Sequence, residues 1–289
     1  MGPLPVEFEN VYARYAGSED WIVKNVSLKV DRGEMVVIMG PSGCGKSTLI
    51  NVTGGLIPHI VAGVVKGTIR VEGIDVLKEG YRAIVGKVGI VYQNPEIQVI
   101  TRSVFEELAM APENLGLPRD EIVERVNWAL EILGLKGYEK RDPQTLSGGE
   151  KQLVAIASVL TMQPRILMLD EPTSMLDHEG TRMVLNAINN LRENTEMTVI
   201  VVEHRVEWAV EVADRIIVMD QGEIVLEGSP EEVFSREEEV KKYGVRPPSV
   251  SEVAYELRAR GVEIPIPVRF SEAYKTLSEV LHVDRVEEC

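Results

Sequence analysis

Apolar and polar positions along the chain alternate between two periods. Residues 5–15 read as a strand, and Ser27–Val30 alternates polar and apolar before a turn at Asp31-Arg32-Gly33. Met35–Met39 is apolar throughout, as a buried strand is, and runs into a glycine-rich turn and a helix starting near Lys46. Gly67–Glu72 and Lys87–Tyr92 read as further strands, split by turns at Gly73 and Gly80. From Thr101 to Gly134 the period becomes helical, with Asp120 predicted to cap a helix over Glu121–Leu133 that Gly134 stops. A second helix runs from about Gly148 to Met162 and ends before Pro164. Ile166–Leu169 is again continuously apolar, a parallel strand covered on both faces. A helix over about 179–193, the strand Thr198–Val202, a short helix near 205–213 and the strands Arg215–Met219 and Glu223–Leu226 follow. Strand–helix alternation of this kind predicts an α/β fold, here with a helical block inserted at about 94–163.

The pattern changes near Ser235. Residues 236–242 form a charged run, read as a solvated helix face, and Pro247-Pro248 breaks the chain. Ser249 is placed to cap a helix over Val250–Arg260 ended by Gly261, and Ser271–Leu281 reads as a last helix. Residues 1–235 are therefore expected as one domain and 236–289 as a small helical appendix, with no internal repeat.

Composition narrows the function classes. The 289 residues are 44% hydrophobic, enough for a packed core, and carry 46 acidic against 31 basic residues for a net charge of −15. That excludes the overall basic footprint of a nucleic-acid binder. The two cysteines, Cys44 and Cys289, make no disulfide framework and fit a reducing cytoplasm. Met1–Asn10 lacks the form of a signal peptide, and no apolar run approaches the roughly 20 residues of a membrane helix. Any membrane role is expected to be peripheral.

The chemistry starts at Gly40-Pro41-Ser42-Gly43-Cys44-Gly45-Lys46-Ser47-Thr48, which fills the G-x-x-x-x-G-K-[ST] pattern between a strand and a helix. Glycines let the backbone curl around a polyphosphate, and the helix start offers free N–H groups to an anion. Lys46 would reach the β- and γ-phosphates of ATP and Ser47 would ligate Mg²⁺. Ile166–Leu169 ends in Asp170-Glu171: the first carboxylate is placed to hold Mg²⁺, the second to take a proton from attacking water. Leu146-Ser147-Gly148-Gly149-Glu150 contains a Ser-x-x-Glu capping box, which does not need two helix-weakening glycines. They make sense where backbone must approach a phosphate.

Leu146–Glu150, downstream of the phosphate loop and ahead of Asp170-Glu171, resembles the signature of ATP-binding cassette (ABC) ATPases over about residues 5–230. The resemblance implies a P-loop fold with a mixed core sheet, an antiparallel β subdomain and a helical subdomain. It also implies a head-to-tail dimer, in which each ATP lies between the phosphate loop of one subunit and Ser147-Gly148-Gly149 of the other. It assigns Gln93, in Tyr92-Gln93-Asn94-Pro95, to sensing Mg²⁺ and the γ-phosphate. His204 becomes the switch histidine, and Asp177, in Ser174-Met175-Leu176-Asp177, part of the D-loop or else a plain helix cap. Tyr15, with Tyr12 as rival, becomes the residue stacking on adenine.

Gln93-Asn94-Pro95-Glu96-Ile97-Gln98, Ala111–Pro118 and the appendix are similar to the energy-coupling factor branch, which takes up vitamins or cobalt. Ala111, Phe105 and Arg205 depart from its usual residues. That similarity implies a motor on the cytoplasmic face of the cell membrane, paired with itself or a similar subunit. Its partners there are a transmembrane coupling subunit and a substrate-binding membrane subunit, with no nucleic acid. A groove near Gln98 and Glu106-Glu107 would receive arginine-bearing coupling helices. The alternative is a soluble ABC scaffold ATPase such as those of iron–sulfur cluster assembly. A thiol reagent at Cys44 is expected to block nucleotide entry, and MgATP to protect it.

Overall fold

The computed structural model describes residues 2–281; Cys289 and the rest of 282–289 lie outside the described residues. In chain order the elements are β1 (Val6–Tyr15), β2 (Val23–Val30), β3 (Met35–Met39), α1 (Lys46–Thr53), α2 (Leu56–His59), β4 (Gly63–Val71), β5 (Ile74–Asp75), α3 (Val76–Glu79), β6 (Val88–Val91), α4 (Val104–Asn114) and α5 (Arg119–Ile132). Next come α6 (Gly148–Leu160), β7 (Ile166–Asp170), α7 (His178–Asn194), β8 (Thr198–Val202), α8 (Val206–Val212), β9 (Arg215–Asp220) and β10 (Glu223–Gly228). Four helices follow: α9 (Pro230–Phe234), α10 (Glu237–Lys242), α11 (Ser249–Ala259) and α12 (Phe270–Leu281).

Six strands form the core sheet in the order β10-β9-β3-β8-β7-β6, parallel except for β10. The central strands are buried on both faces, which explains their continuously apolar sequences. Alternation along β3 divides the interior. Met35, Val37 and Met39 face a core shared with α4–α8, while Val36 and Ile38 face α1 and the second sheet. That second sheet is antiparallel, in the order β2-β1-β4-β5. The fold is α/β, with a mixed core sheet and an antiparallel subdomain, as the resemblance implies.

Two boundaries differ from expectation. Pro118 occupies the N-cap of α5, so the helix starts at Arg119 and Asp120 falls in its first turn, where a carboxylate complements the helix dipole. Ser249 lies inside α11, and its hydroxyl donates to Glu207 Oε1 at 3.0 Å, tying the last helices to α8. The helical stretch 101–134 is two helices, separated where Gly116 takes φ 74° ahead of Pro118.

Strand order determines where chemistry can occur. In a parallel sheet the loops leaving the carboxyl ends share one edge. The loops after β3, β8, β7 and β6, which are neighbours in that sheet order, carry Gly40–Gly45, His204, Glu171 and Gln93 respectively.

Candidate nucleotide site

The loop between β3 and α1 is forced on its glycines. Gly40 has φ 138°, and a Cβ there would lie 2.1 Å from the Met219 carbonyl oxygen. Gly45, at φ 112°, would press a Cβ to 2.8 Å from the Ile22 carbonyl. Gly45 is the N-cap of α1 and supplies no capping side chain, so the first-turn N–H groups face the loop. Pro41, Ser42 and Gly43 form the outer rim, and Thr48 is buried one turn in. Lys46, 5% exposed, donates from Nζ to the carbonyls of Gly40 and Pro41, both at 2.9 Å. The ammonium is thereby held in the mouth of the loop.

The Cys44 side chain is buried, with Lys46 Nζ at 3.9 Å from Sγ, and burial pushes its thiol pKa up. A raised pKa and a covered sulfur both slow alkylation. The labelling expected at Cys44 is therefore revised. Maleimide modification of native protein should be slow with or without MgATP and become fast in denaturant, read by mass spectrometry against time. Rapid native labelling would place the thiol on the surface instead.

Ser47 Oγ donates to Asp170 Oδ1 at 3.1 Å across the gap between α1 and β7. Asp170 is 6% exposed. Burial raises its carboxyl pKa and the neighbouring Glu171 adds to the rise, against the Ser47 hydrogen bond and Lys46. A buried carboxylate beside a hydroxyl is a hard-oxygen set that fits Mg²⁺. Among the described residues no group of three or more His, Cys, Asp and Glu could hold an ion alone. An ion at Ser47–Asp170 would thus complete its shell with water and phosphate oxygens, as Mg²⁺ prefers.

Glu171 stands in the left-handed region at φ 48°, with its N–H on the Val202 carbonyl at 2.9 Å. Such strain in a non-glycine residue persists only where the surroundings enforce it. Its carboxylate is gripped from both sides: Oε1 lies 3.1 Å from His204 Nε2, and Oε2 accepts from Gln93 Nε2 at 3.2 Å. Residues just after β6, β7 and β8 thus meet on one carboxylate. The arrangement can orient a water, accept its proton and contact a phosphate from two directions.

The Ser147 segment lines a separate cavity, one that none of Gly40–Thr48, Gln93, Asp170, Glu171 or His204 lines. Ser147 caps α6 in a reciprocal box with Glu150, whose Oε1 also accepts from the Tyr138 hydroxyl at 2.6 Å. Ser147 and Gly148 are exposed, whereas Gly149 is buried: its Cβ would lie 2.6 Å from Gly180 Cα. The second glycine is therefore required by the close crossing of α6 and α7 within the subunit. Asp177 is the N-cap of α7 and accepts from Gly180 N at 2.7 Å, which realises the plain-cap alternative. Ser147–Glu150, Asp177 and Gly180 line one cavity of about 480 Å³.

The two tyrosines separate by face. A bulge at Asn10, φ 50°, shifts the β1 pairing between Glu9 and Tyr12, which inverts the alternation that follows. Tyr12 packs its ring edge-on against Trp21, 5.7 Å away. Tyr15 points to the P-loop helix, its hydroxyl 3.5 Å from Thr48 Oγ1 and 3.4 Å from Asn51 Nδ2. Sequence reasoning missed Asn51, which also accepts from Tyr92 at 3.1 Å, as well as Gly180, Thr173 and Glu203. Only contacts between distant segments reveal them.

A phosphate loop on the central strand, a hydroxyl–carboxylate pair beside it and a gripped glutamate define a nucleotide-hydrolysing P-loop cassette. The chain belongs to the ABC transporter family, whose model matches residues 23–174, and it is an ABC-type ATPase. An ABC transporter ATP-binding protein of Pyrococcus horikoshii, provisionally named and with no cargo given, is 44% identical over 257 residues; these span 89% of this chain and 90% of the relative. The energy-coupling factor transporter ATP-binding protein EcfA2 of Caldanaerobacter subterraneus is 41% identical, covering 94% of this chain and 96% of the relative. Among solved structures, cbiO1 of Clostridium perfringens, described as part of the ABC transporter complex cbiONQ, matches with TM-score 0.74 and 30% identity. That match covers 88% of this chain and 99% of the neighbour.

Proposed function

We infer that this ATPase is the motor subunit of an energy-coupling factor importer, powering uptake of a vitamin or metal ion through membrane partners. The observation that carries the reading is a groove of about 340 Å³ beside the Gln93 loop, lined by Val85, Ile90, Gln98, Glu107 and Met110. It is apolar with one acid at its wall. Glu107 is 2% exposed, and its Oε2 accepts the Ile100 and Thr101 N–H groups at 2.9 and 3.0 Å. Ile97 and Ile100 are 69% and 70% exposed at the same segment. A short helix bearing a cation is the occupant this chemistry suits. Glu106, exposed on the first turn of α4, is the acid open to pair with that cation, while Glu107 holds the Ile100–Thr101 backbone. No helix among the described residues is long and apolar enough to cross a membrane. Membrane attachment at the cytoplasmic face therefore falls to partners: a coupling subunit and a substrate-binding subunit. The names of the relative and of the structural neighbour support that assembly.

In the proposed reaction, loop and first-turn N–H groups with Lys46 hold the β- and γ-phosphates. Ser47, Asp170 and Gln93 would hold Mg²⁺, which neutralises charge on the transferred phosphoryl group. Glu171 orients water and takes its proton as the oxygen attacks the γ-phosphorus; the bond to the β-γ bridging oxygen breaks, giving ADP and phosphate. His204 and Gln93, both on Glu171, are placed to contact the γ-phosphate. Tyr15 offers its ring to adenine. Ser147 and Gly148 are exposed and share no cavity with these residues, which supports a site completed by a second chain presenting Ser147-Gly148-Gly149, with Asp177 holding the start of α7 beside them. The helices after residue 235 are proposed to help hold the two chains together.

The test is affinity purification from native membranes. The reading expects hydrophobic membrane subunits to co-purify through a salt wash and to be lost with Ile100→Glu. Recovery only in the soluble fraction with cluster-assembly proteins would replace it with the scaffold alternative.

A further inference from the structure

Beside the catalytic edge lies a buried carboxylate that the chemistry above does not use. Glu203 is 3% exposed. A charge so placed is retained only when it is paired or well hydrogen-bonded. Its Oε1 accepts the backbone N–H of His204 at 2.8 Å and of Arg205 at 3.3 Å. Its Oε2 accepts the Thr173 hydroxyl at 2.7 Å. Thr173, fully buried, accepts in turn from Arg205 Nε at 3.1 Å. Glu203, Thr173 and Arg205 thus close a ring of charge-assisted bonds between the loop after β8 and the loop after β7. Thr173 lies two residues past Glu171, and Glu203 directly precedes His204.

We propose that this ring is a positioning device for the proposed catalytic pair: it sets the His204 backbone so that Nε2 meets Glu171, and Arg205 compensates the buried charge through Thr173. The proposal rests on the reading of Glu171 and His204 as catalytic. It gives the departure at Arg205 a physical role, because an acid there could not donate to Thr173. None of the three ring side chains need touch nucleotide, so their effect should fall on turnover and not on binding.

The experiment is steady-state ATP hydrolysis with Glu203→Gln, Thr173→Val, Arg205→Gln and Thr173→Ser. Glu203→Gln and Thr173→Val are each expected to lower kcat about tenfold with KM for ATP within about twofold, since an orphaned member disorders the loop. Arg205 is exposed, so Arg205→Gln tests the same link without threatening the fold and should lower kcat at least about threefold. Thr173→Ser keeps the hydroxyl and should restore wild-type turnover. The Glu203→Gln/Thr173→Val double variant should be no slower than the worse single variant, because both break one ring. Turnover within twofold of wild type in all three ring-breaking variants overturns the proposal, as does a double variant whose losses multiply. Full turnover by Glu171→Gln would instead locate the failure in the catalytic reading.

Discussion

Replacing Glu171 by Gln is expected to lower kcat by about a thousandfold while ATP affinity stays within a factor of about three. The amide keeps the size of the side chain and can still hydrogen bond to His204 and Gln93, which now lie 3.1 and 3.2 Å from the two carboxylate oxygens. It cannot accept a proton from water. The P-loop contacts are untouched, so nucleotide should bind and stay unhydrolysed, trapping two chains closed over ATP. Rapid-quench hydrolysis with nucleotide binding by equilibrium dialysis reads both quantities. A variant turning over at the wild-type rate would remove Glu171 from the role of base.

The second large effect is expected at Gly148. Gly148→Asp should leave folding and ATP binding intact and reduce turnover at least about a hundredfold. Gly148 is exposed in the first turn of α6, where a carboxylate suits the helix dipole; its Cβ would meet only the end of the Leu176 side chain, at 3.2 Å. The added charge would face the phosphates of the nucleotide held by the other chain. Gly149→Ala offers the contrast. Its methyl would lie 2.6 Å from Gly180 Cα, so that variant should lose stability as well as activity, read by thermal unfolding. If Gly148→Asp melts as early as Gly149→Ala, its lost turnover reports misfolding and the assignment of Gly148 to the phosphate fails.

What could be read in the sequence was what is local along it. The P-loop, the acids closing Ile166–Leu169 and the histidine after Thr198–Val202 each sit at the end of an apolar strand. Parallel pairing brings such ends to one edge whatever the spacing between them. Contacts set by packing were hidden. The ring of Glu203, Thr173 and Arg205 joins residues about 30 positions apart, and nothing near Glu203 marks it as buried. The packing role of the second signature glycine was hidden because its neighbour, Gly180 on α7, is remote in sequence. Tyr12 and Tyr15 could not be told apart because strict alternation from Val6 and Phe8 fails at the Asn10 bulge.

The central claim is that each catalytic site is built by two chains. The most direct measurement mixes Lys46→Ala protein with Gly148→Asp protein, each inactive alone, and follows ATP hydrolysis. In a head-to-tail pair one site gathers both defects and the other is wholly intact, so the mixture should regain up to about a quarter of the wild-type rate, random pairing being halved again by one good site in two. A mixture no more active than either variant alone, while wild-type protein turns over under the same conditions, would show that the P-loop and Ser147–Gly149 do not meet between chains.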